Sequence, residues 1–450
     1  ILNHLKRDTS VSPLVVFRIL FGLLMFIAVV RFWSNGWIHE LFVMPRMHFH
    51  YHGFEWVTNP GAPYIYWMFA GLGITSLCIA FGFVYRIASI VFFLTFTYIE
   101  LIDATNYLNH YYFVSIVGFL MIWLPAHRDF SLDVRLRISK PLKVVPQWMK
   151  LALMLQLGMV YFFAGIAKIN ADWLFHAQPI TVWLAPMYDL PVLGWFIQQK
   201  WFLFAMAWFG LLYDLSVPFL LSFRKTRWFG YGLVLIFHVF TAIFFPIGMF
   251  PYMMMLLTFI FFSPSFHHRI VGLLKKLFNY RPTTTPSMRT NYKLVAGVFT
   301  VFLFVQALLP FRYLLNDGDL FWHEKDFRFS WRVMLMEKYG TGTFYIQAEG
   351  YPGKVPVCNS DYLSPQQEKM VMSQPDLILQ YADFLKQEYA GKVVIERGDT
   401  IVIQNPSVFA DIDVTLNGRP HHKFVDPNTE LTTLTDGFHD RSWLEPAPKE

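Results

Sequence analysis

The chain has 450 residues, of which 55% are hydrophobic, 19% aromatic and only 15% charged, with a formal net charge of +6. Soluble domains carry about 25% charged residues, so an ordinary soluble protein is excluded and a membrane protein is expected. Two cysteines, Cys78 in an apolar run and Cys358 in a polar one, exclude a disulfide framework and a cysteine-type zinc site.

Apolar runs of about 20 residues are long enough to cross hydrocarbon. They predict nine spans, near 13–33, 63–84, 86–102, 110–125, 149–170, 202–222, 228–245, 248–263 and 293–312. The first run lacks a small-residue cleavage site and reads as a retained span. Arg18, one turn into it, is expected to snorkel. Positive charges then punctuate the chain. Lys6 and Arg7 precede the first span. Arg128, Arg135, Arg137, Lys140, Lys143 and Lys150 lie between the fourth and fifth. Arg224, Lys225 and Arg227 separate the sixth and seventh, and Arg269, Lys275, Lys276, Arg281, Arg289 and Lys293 precede the ninth. With nine crossings all of these fall on one side, which the positive-inside rule makes cytoplasmic. The expected fold is an α-helical polytopic membrane protein of about nine transmembrane helices, residues 1–313, with a cytoplasmic N-terminus. Residues 314–450 are expected to form an extracytoplasmic α+β domain rich in β-strand.

In that second domain, residues 364–390 read as helix and 392–404 as paired strands around Gly398. Residues 411–425 read as a hairpin turning at Asn417-Gly418. The Pro/Thr run at 282–286 is a loop, and no internal repeat is found.

Several polar residues fall where lipid should be. HFHYH (His48, His50, His52) has strand spacing, but no Cys, Asp or HExxH pattern accompanies it, so no metal is assigned. His267-His268 and His421-His422 are expected to be solvated. Glu100 and Asp103 end the third span, and the following loop delivers Asn109 and His110. Next comes YFFAGIAKINADW (161–173), in which Lys168 stands near the end of a long apolar helix among Ala164, Gly165 and Ala167. A lysine there is either a snorkelling group partnered by Asp172 or, if closely packed and dry, a base. At about 1.5 Å per residue it lies roughly 27 Å along its span, near the outer lip. Asp214 and His238 are expected nearer mid-membrane. Each of these residues alone has an ordinary structural explanation; gathered in one half of a membrane domain, they mark a candidate site.

YFFAGIAKINADW resembles the lysine-bearing helix of the vitamin K-dependent gamma-glutamyl carboxylases and their bacterial relatives, the HTTM-domain proteins. The likeness extends through SPLVVFRILFGLLM (12–25), LIDATNYLNHYY (101–112), FHVF (237–240), IGMFPYMMM (247–255), FRFSWRVM (327–334) and DRSWLEP (440–446). It implies that Lys168 deprotonates reduced vitamin K or menaquinol and that His110 assists the resulting anion. Oxygen then yields an alkoxide basic enough to remove a glutamate γ-proton, CO2 adds to the carbon, and the quinone leaves as an epoxide. Asn109, Asp103, Asp214, His238, Phe163 and Met249 are expected to support or line the quinone pocket, with Phe, Trp and Met of spans five to eight. Ser330 and Trp331 match the peptide-contacting region. Asp172 is expected to point away from Lys168, since pairing would favour the charged amine.

The implied partners are membrane lipid, a lipid-soluble quinol with O2 and CO2, and a glutamate-containing protein or peptide; no metal and no nucleic acid are assigned. The chain departs from the vertebrate enzymes in length and lacks the cysteine pair that links their membrane and lumenal parts, so quinol oxygenation transfers more securely than carboxylation. Two alternatives stay open: a quinol epoxidase or oxidoreductase that never carboxylates, and a non-catalytic receptor or transporter on the same scaffold. A transporter is disfavoured because no repeat with broken spans is visible.

Overall fold

The computed structural model describes residues 7–245, 247–281, 292–350, 353–396, 399–435 and 441–448. Lys6, the loop at 282–286, Arg289, the Gly398 turn and Asp440 lie outside the described residues.

Ten helices build the membrane portion; shorter helical turns are named by their residues. They are α1 (Ser12–Ser34), α2 (Tyr64–Phe81), α3 (Tyr85–Ile102), α4 (Asn109–Trp123) and α5 (Gln147–Ala167). There follow α6 (Lys200–Ser222), α7 (Arg227–Phe244), α8 (Phe250–Leu257), α9 (Pro264–Leu277) and α10 (Lys293–Leu308). Among the described residues, seven helices are long and apolar enough to cross a bilayer: α1, α2, α3, α5, α6, α7 and α10 with its continuation to Leu315. The expected count of nine therefore rests on two weaker elements. α4 has 15 residues, about 22 Å of rise. The eighth run is a helix over Phe250–Phe261 that meets α9 at 110°. Pro264 at the first turn of α9 prevents one helix from running through, and the Ser263 side chain caps the new one by accepting from the Phe266 N–H.

The basic segments meet at one end of the bundle. A short strand β1 (Asp8–Ser10) pairs antiparallel with β2 (Val144–Pro146), and Lys275 of α9 lies 2.7 Å from Asp129. Asp133 accepts from the Val84 and Tyr85 N–H groups, satisfying orphan donors at the start of α3. Arg18 does not snorkel. It is completely buried here, with Nη2 donating to the Phe130 carbonyl at 2.7 Å. The left-handed Gly82 that ends α2 leaves it room, since a Cβ there would stand 1.7 Å from the Arg18 guanidinium. His267 is likewise buried, its Nδ1 2.9 Å from the Ser263 carbonyl oxygen. His421 and His422 are exposed.

α3 rises about 27 Å over its 18 residues and ends at the opposite face. There Asp103 joins the outer loop to the second domain: His48 Nδ1 is 3.1 Å away and Gln367 Nε2 donates to it at 3.0 Å. His50 takes part through its backbone, which exchanges hydrogen bonds with the Gln380 side chain, and His52 lies exposed beside Glu55. The three histidines turn to separate partners.

The C-terminal domain is built on a four-stranded antiparallel sheet in the order β4 (Lys354–Pro356), β3 (Lys338–Gln347), β7 (Ser407–Leu416), β8 (His422–Val425). A separate hairpin pairs β5 (Val393–Glu396) with β6 (Asp399–Val402). The expected helix at 364–390 is two: α11 (Pro365–Val371), opened by a capping box at Ser364, and α12 (Pro375–Tyr389), where Pro375 forces a fresh start. Asn417 and Gly418 both adopt positive φ and turn the β7–β8 hairpin.

α5 and α6 pack closely at Gly165, where an added Cβ would come within 2.8 Å of the Leu215 side chain and 3.0 Å of its backbone nitrogen. Gly165→Ala is expected to wedge the two helices apart at a cost of about 1–3 kcal/mol, lowering the thermal midpoint in detergent. An unchanged midpoint would show that this contact is loose.

Candidate active site

Three helix faces converge beneath the outer end of the bundle. On α5, Tyr161, Ala164 and Lys168 follow one another at i, i+3 and i+7, so they share a face. On α6, Phe202, Met206, Gly210 and Asp214 repeat every four residues. On α7, His238 and Thr241 lie one turn apart, and Phe245 follows as the C-cap. Together they enclose a cavity of about 230 Å³, floored by Phe250 and Met254 and roofed by Trp173, Ile180, Trp183, Val333 and Met334. Phe209 and Ile236 line it while remaining 43% and 64% exposed on the bundle surface, so it opens sideways between α6 and α7.

Lys168 is the C-cap of α5, 5% exposed. Its Nζ donates to Asp214 Oδ2 at 2.8 Å and to the Ala164 carbonyl at 3.2 Å, and stands 5.1 Å from the Trp173 ring centroid. The cation thus sits at the negative end of its own helix, where the last carbonyls lack partners. Asp214 is as buried as the amine. Each ion gives up several kcal/mol of hydration, offset only because the geometry is close and direct.

This corrects one expectation: Asp214 is not deeper than Lys168, since the two touch. α6 starts at Lys200, 14 residues before Asp214 (214 − 200), and so extends about 21 Å outward from the ion pair. Residues 168–199 fill the space above, with Trp173 Nε1 held by the Ala207 carbonyl at 2.8 Å.

Asp172 points away from Lys168, to Arg419 of the β7–β8 turn at 2.6 Å and to Asn417 at 2.6 Å. Burial works against its charge, but the Arg419 guanidinium and the Asn417 amide hold its carboxyl below the usual aspartate range. A depressed value means that this latch contributes fully above the unfolded value of about 3.9 and is lost as pH falls through the folded one. Arg419→Ala is expected to speed amide hydrogen exchange over residues 171–184 at neutral pH. Unchanged protection would show that the latch does not hold the roof.

The other expected site residues scatter. His238 lines the cavity, with Nε2 3.2 Å from the Tyr161 hydroxyl. His110 does not line it; its ring lies 6.0 Å from Phe250, whose ring is 5.8 Å from His238. Asn109 donates to the Arg332 carbonyl at 3.1 Å, and Asp103 serves the interdomain joint described above. Phe163 faces Phe311, and the half-buried Met249 packs against the bundle core; neither is in the cavity lining. Ser330 donates to the Phe327 carbonyl, and Trp331 is 0% exposed, stacked on Tyr112 at 4.9 Å. Neither presents a surface to a peptide. The segment around them is an insert of the second domain into the bundle, with Glu324, Asp326, Phe329, Trp331 and Met334 all at positive φ. So many non-glycine residues in that region mark backbone held by its surroundings.

Sequence reading missed Tyr161, Thr241, Trp173, Trp183 and Met334. The first two were findable, because they lie two turns from Lys168 and one turn from His238 on the same helix faces. The roof residues come from irregular segments with no period to read.

The family described as HTTM domain matches residues 6–266. That described as vitamin K-dependent gamma-carboxylase, lumenal domain, matches residues 291–450, which include α10. No solved structure matches the chain.

Proposed function

Since the chain belongs to the HTTM-domain family and is a relative of the vitamin K-dependent gamma-carboxylases, a multi-pass membrane protein with a lumenal C-terminal domain, we propose that it is a quinol-dependent gamma-glutamyl carboxylase. Its cofactor would be reduced vitamin K or menaquinol, and its substrate a glutamate-containing peptide reaching it from the lumenal side. The basic end of the bundle, with the N-terminus, would then face the cytoplasm.

The observation that carries this reading is a lysine amine held in the wall of an apolar chamber that opens sideways between α6 and α7. The chamber fits such a cofactor. Its volume is below the roughly 300–1,000 Å³ of pockets that enclose a whole drug-sized ligand, so it suits a ring system whose apolar tail leaves between α6 and α7. When bound, the quinol and O2 supply a base stronger than any side chain, and one quinol, one O2, one CO2 and one glutamate C–H yield epoxide, water, carboxyglutamate and a proton.

The chain's own residues do the rest. Asp214 holds the amine in place and, by taking the pair's proton across 2.8 Å, would leave Lys168 Nζ neutral and able to accept the hydroxyl proton of the quinol. The walls of Phe, Met and Ile keep water away, which protects strongly basic chemistry from quenching. Trp173, Trp183, Val333 and Met334 lie between this chamber and the second domain, the side from which a peptide would come.

The test is to give purified protein in lipid the reduced naphthoquinone, O2, labelled bicarbonate and a glutamate peptide. Epoxide with labelled peptide is expected. Epoxide without label would replace this reading by a quinol epoxidase, and neither product despite quinone binding would overturn it.

A further inference from the structure

A cavity much larger than the lysine chamber, about 1140 Å³, runs along the membrane portion between α5, α6 and α10, and none of its lining comes from α7. We propose that this groove holds a glycerophospholipid with an anionic headgroup, taken from the leaflet at the basic end of the bundle. The proposal is independent of the reaction proposed above.

All three walls are helices long and apolar enough to cross a bilayer, and α10 with its continuation has only 17% of its span buried, so the groove faces lipid. Leu155 and Phe219 line it while 53% and 55% exposed, whereas Ala152, Met159 and Phe299 lie buried at its floor. A gap between three helices leaves its walls without van der Waals partners, and an acyl chain supplies them. From Trp148 to Phe162, both in the lining, α5 rises about 21 Å. One leaflet contributes half of a hydrocarbon core of about 30 Å, so the groove can take a chain from headgroup level to the midplane.

Its polar features gather at one end. The hydroxyls of Ser222 and Thr300 turn back to carbonyls of their own helices, at 2.6 and 2.8 Å, and no acidic residue is in the lining. At the basic end stand Trp148, whose ring meets Phe299 edge-on at 5.4 Å, and Tyr292; such rings sit at headgroup level. Lys293 lines the groove beside Tyr292. Arg224 and Lys225, just after Ser222, and Lys143, just before Pro146, are exposed around the same mouth. Asp8, opposite Pro146 in the β1–β2 pair, is outnumbered by these cations. Each Lys or Arg close to the membrane surface favours an anionic over a zwitterionic headgroup by about fivefold.

The test uses the full chain stripped of lipid in dodecyl maltoside. Its thermal midpoint is followed as phosphatidylglycerol or phosphatidylcholine with the same acyl chains is added, since a bound lipid raises the midpoint by mass action. Phosphatidylglycerol is expected to act at about a tenth of the mole fraction that phosphatidylcholine needs, and Lys293→Gln with Lys225→Gln to bring the two lipids together. Ala296 and Thr300 stand one turn apart on α10 and both line the groove. Ala296→Trp and Thr300→Trp, made separately so that one misfolded variant does not decide the matter, are each expected to abolish the response to phosphatidylglycerol and to leave naphthoquinone binding unchanged. Equal responses to the two lipids in the wild type, or a wild-type response in both tryptophan variants, would show ordinary boundary lipid and overturn the proposal. So would a midpoint that rises with protein concentration in place of lipid, which would put a second copy of the chain in the groove.

Discussion

Lys168→Met is expected to abolish epoxide formation, with the rate falling by about 10²–10⁴-fold, the range for loss of a positioned general base. No other amine lines the chamber among the described residues, so nothing nearby can substitute. The same change strands Asp214, which is 5% exposed and has Lys168 as its ion-pair partner. Removing one partner of a buried pair typically costs about 3–5 kcal/mol, so the variant should also melt earlier. A lost rate alone would therefore be ambiguous between chemistry and folding.

The second large effect resolves that ambiguity. Asp214→Leu leaves the ammonium buried without its carboxylate and is expected to destabilise by a similar 3–5 kcal/mol. Replacing both groups, Lys168→Met with Asp214→Leu, fills the site with apolar side chains of similar size. That exchange is often neutral or stabilising. The double variant is thus expected to recover the thermal midpoint that either single change loses, while staying inactive. A double variant that melts as early as the singles would show that the pair does not behave as a unit, and one that regains turnover would show that the chemistry does not need the amine.

Much of this was legible in the residues. Apolar runs and basic loops gave the helices and grouped the basic segments correctly at one end, as the β1–β2 pairing and the Lys275–Asp129 contact show. The turn at Asn417-Gly418 followed from its dipeptide alone. Depth was not legible. Counting residues from a span's start assumes that all helices end at one plane, and α6 overshoots α5 by several turns. That is why Asp214 looked deeper than Lys168 when the two touch. Nor could sequence foresee that α9 would fold back at 110°, since hydropathy reads composition and not direction. Arg18 looked like a snorkelling residue because one turn of helix is a short reach to water, but the loop at Phe130 and the α2–α3 turn close over it. The FRFSWRVM stretch has the least readable behaviour of all. The family resemblance implied a peptide contact there, yet Trp331 is buried against Tyr112 and the chain beyond it supplies the chamber roof. No local period encodes an insertion between two domains.

The central claim is that one buried amine starts the chemistry. It is tested most directly by giving the Lys168→Met/Asp214→Leu protein a reduced naphthoquinone and O2, with binding of the oxidised form followed through Trp173 and Trp183. Retained binding with no epoxide is the predicted result; epoxide at the wild-type rate from a chamber without its lysine would contradict it.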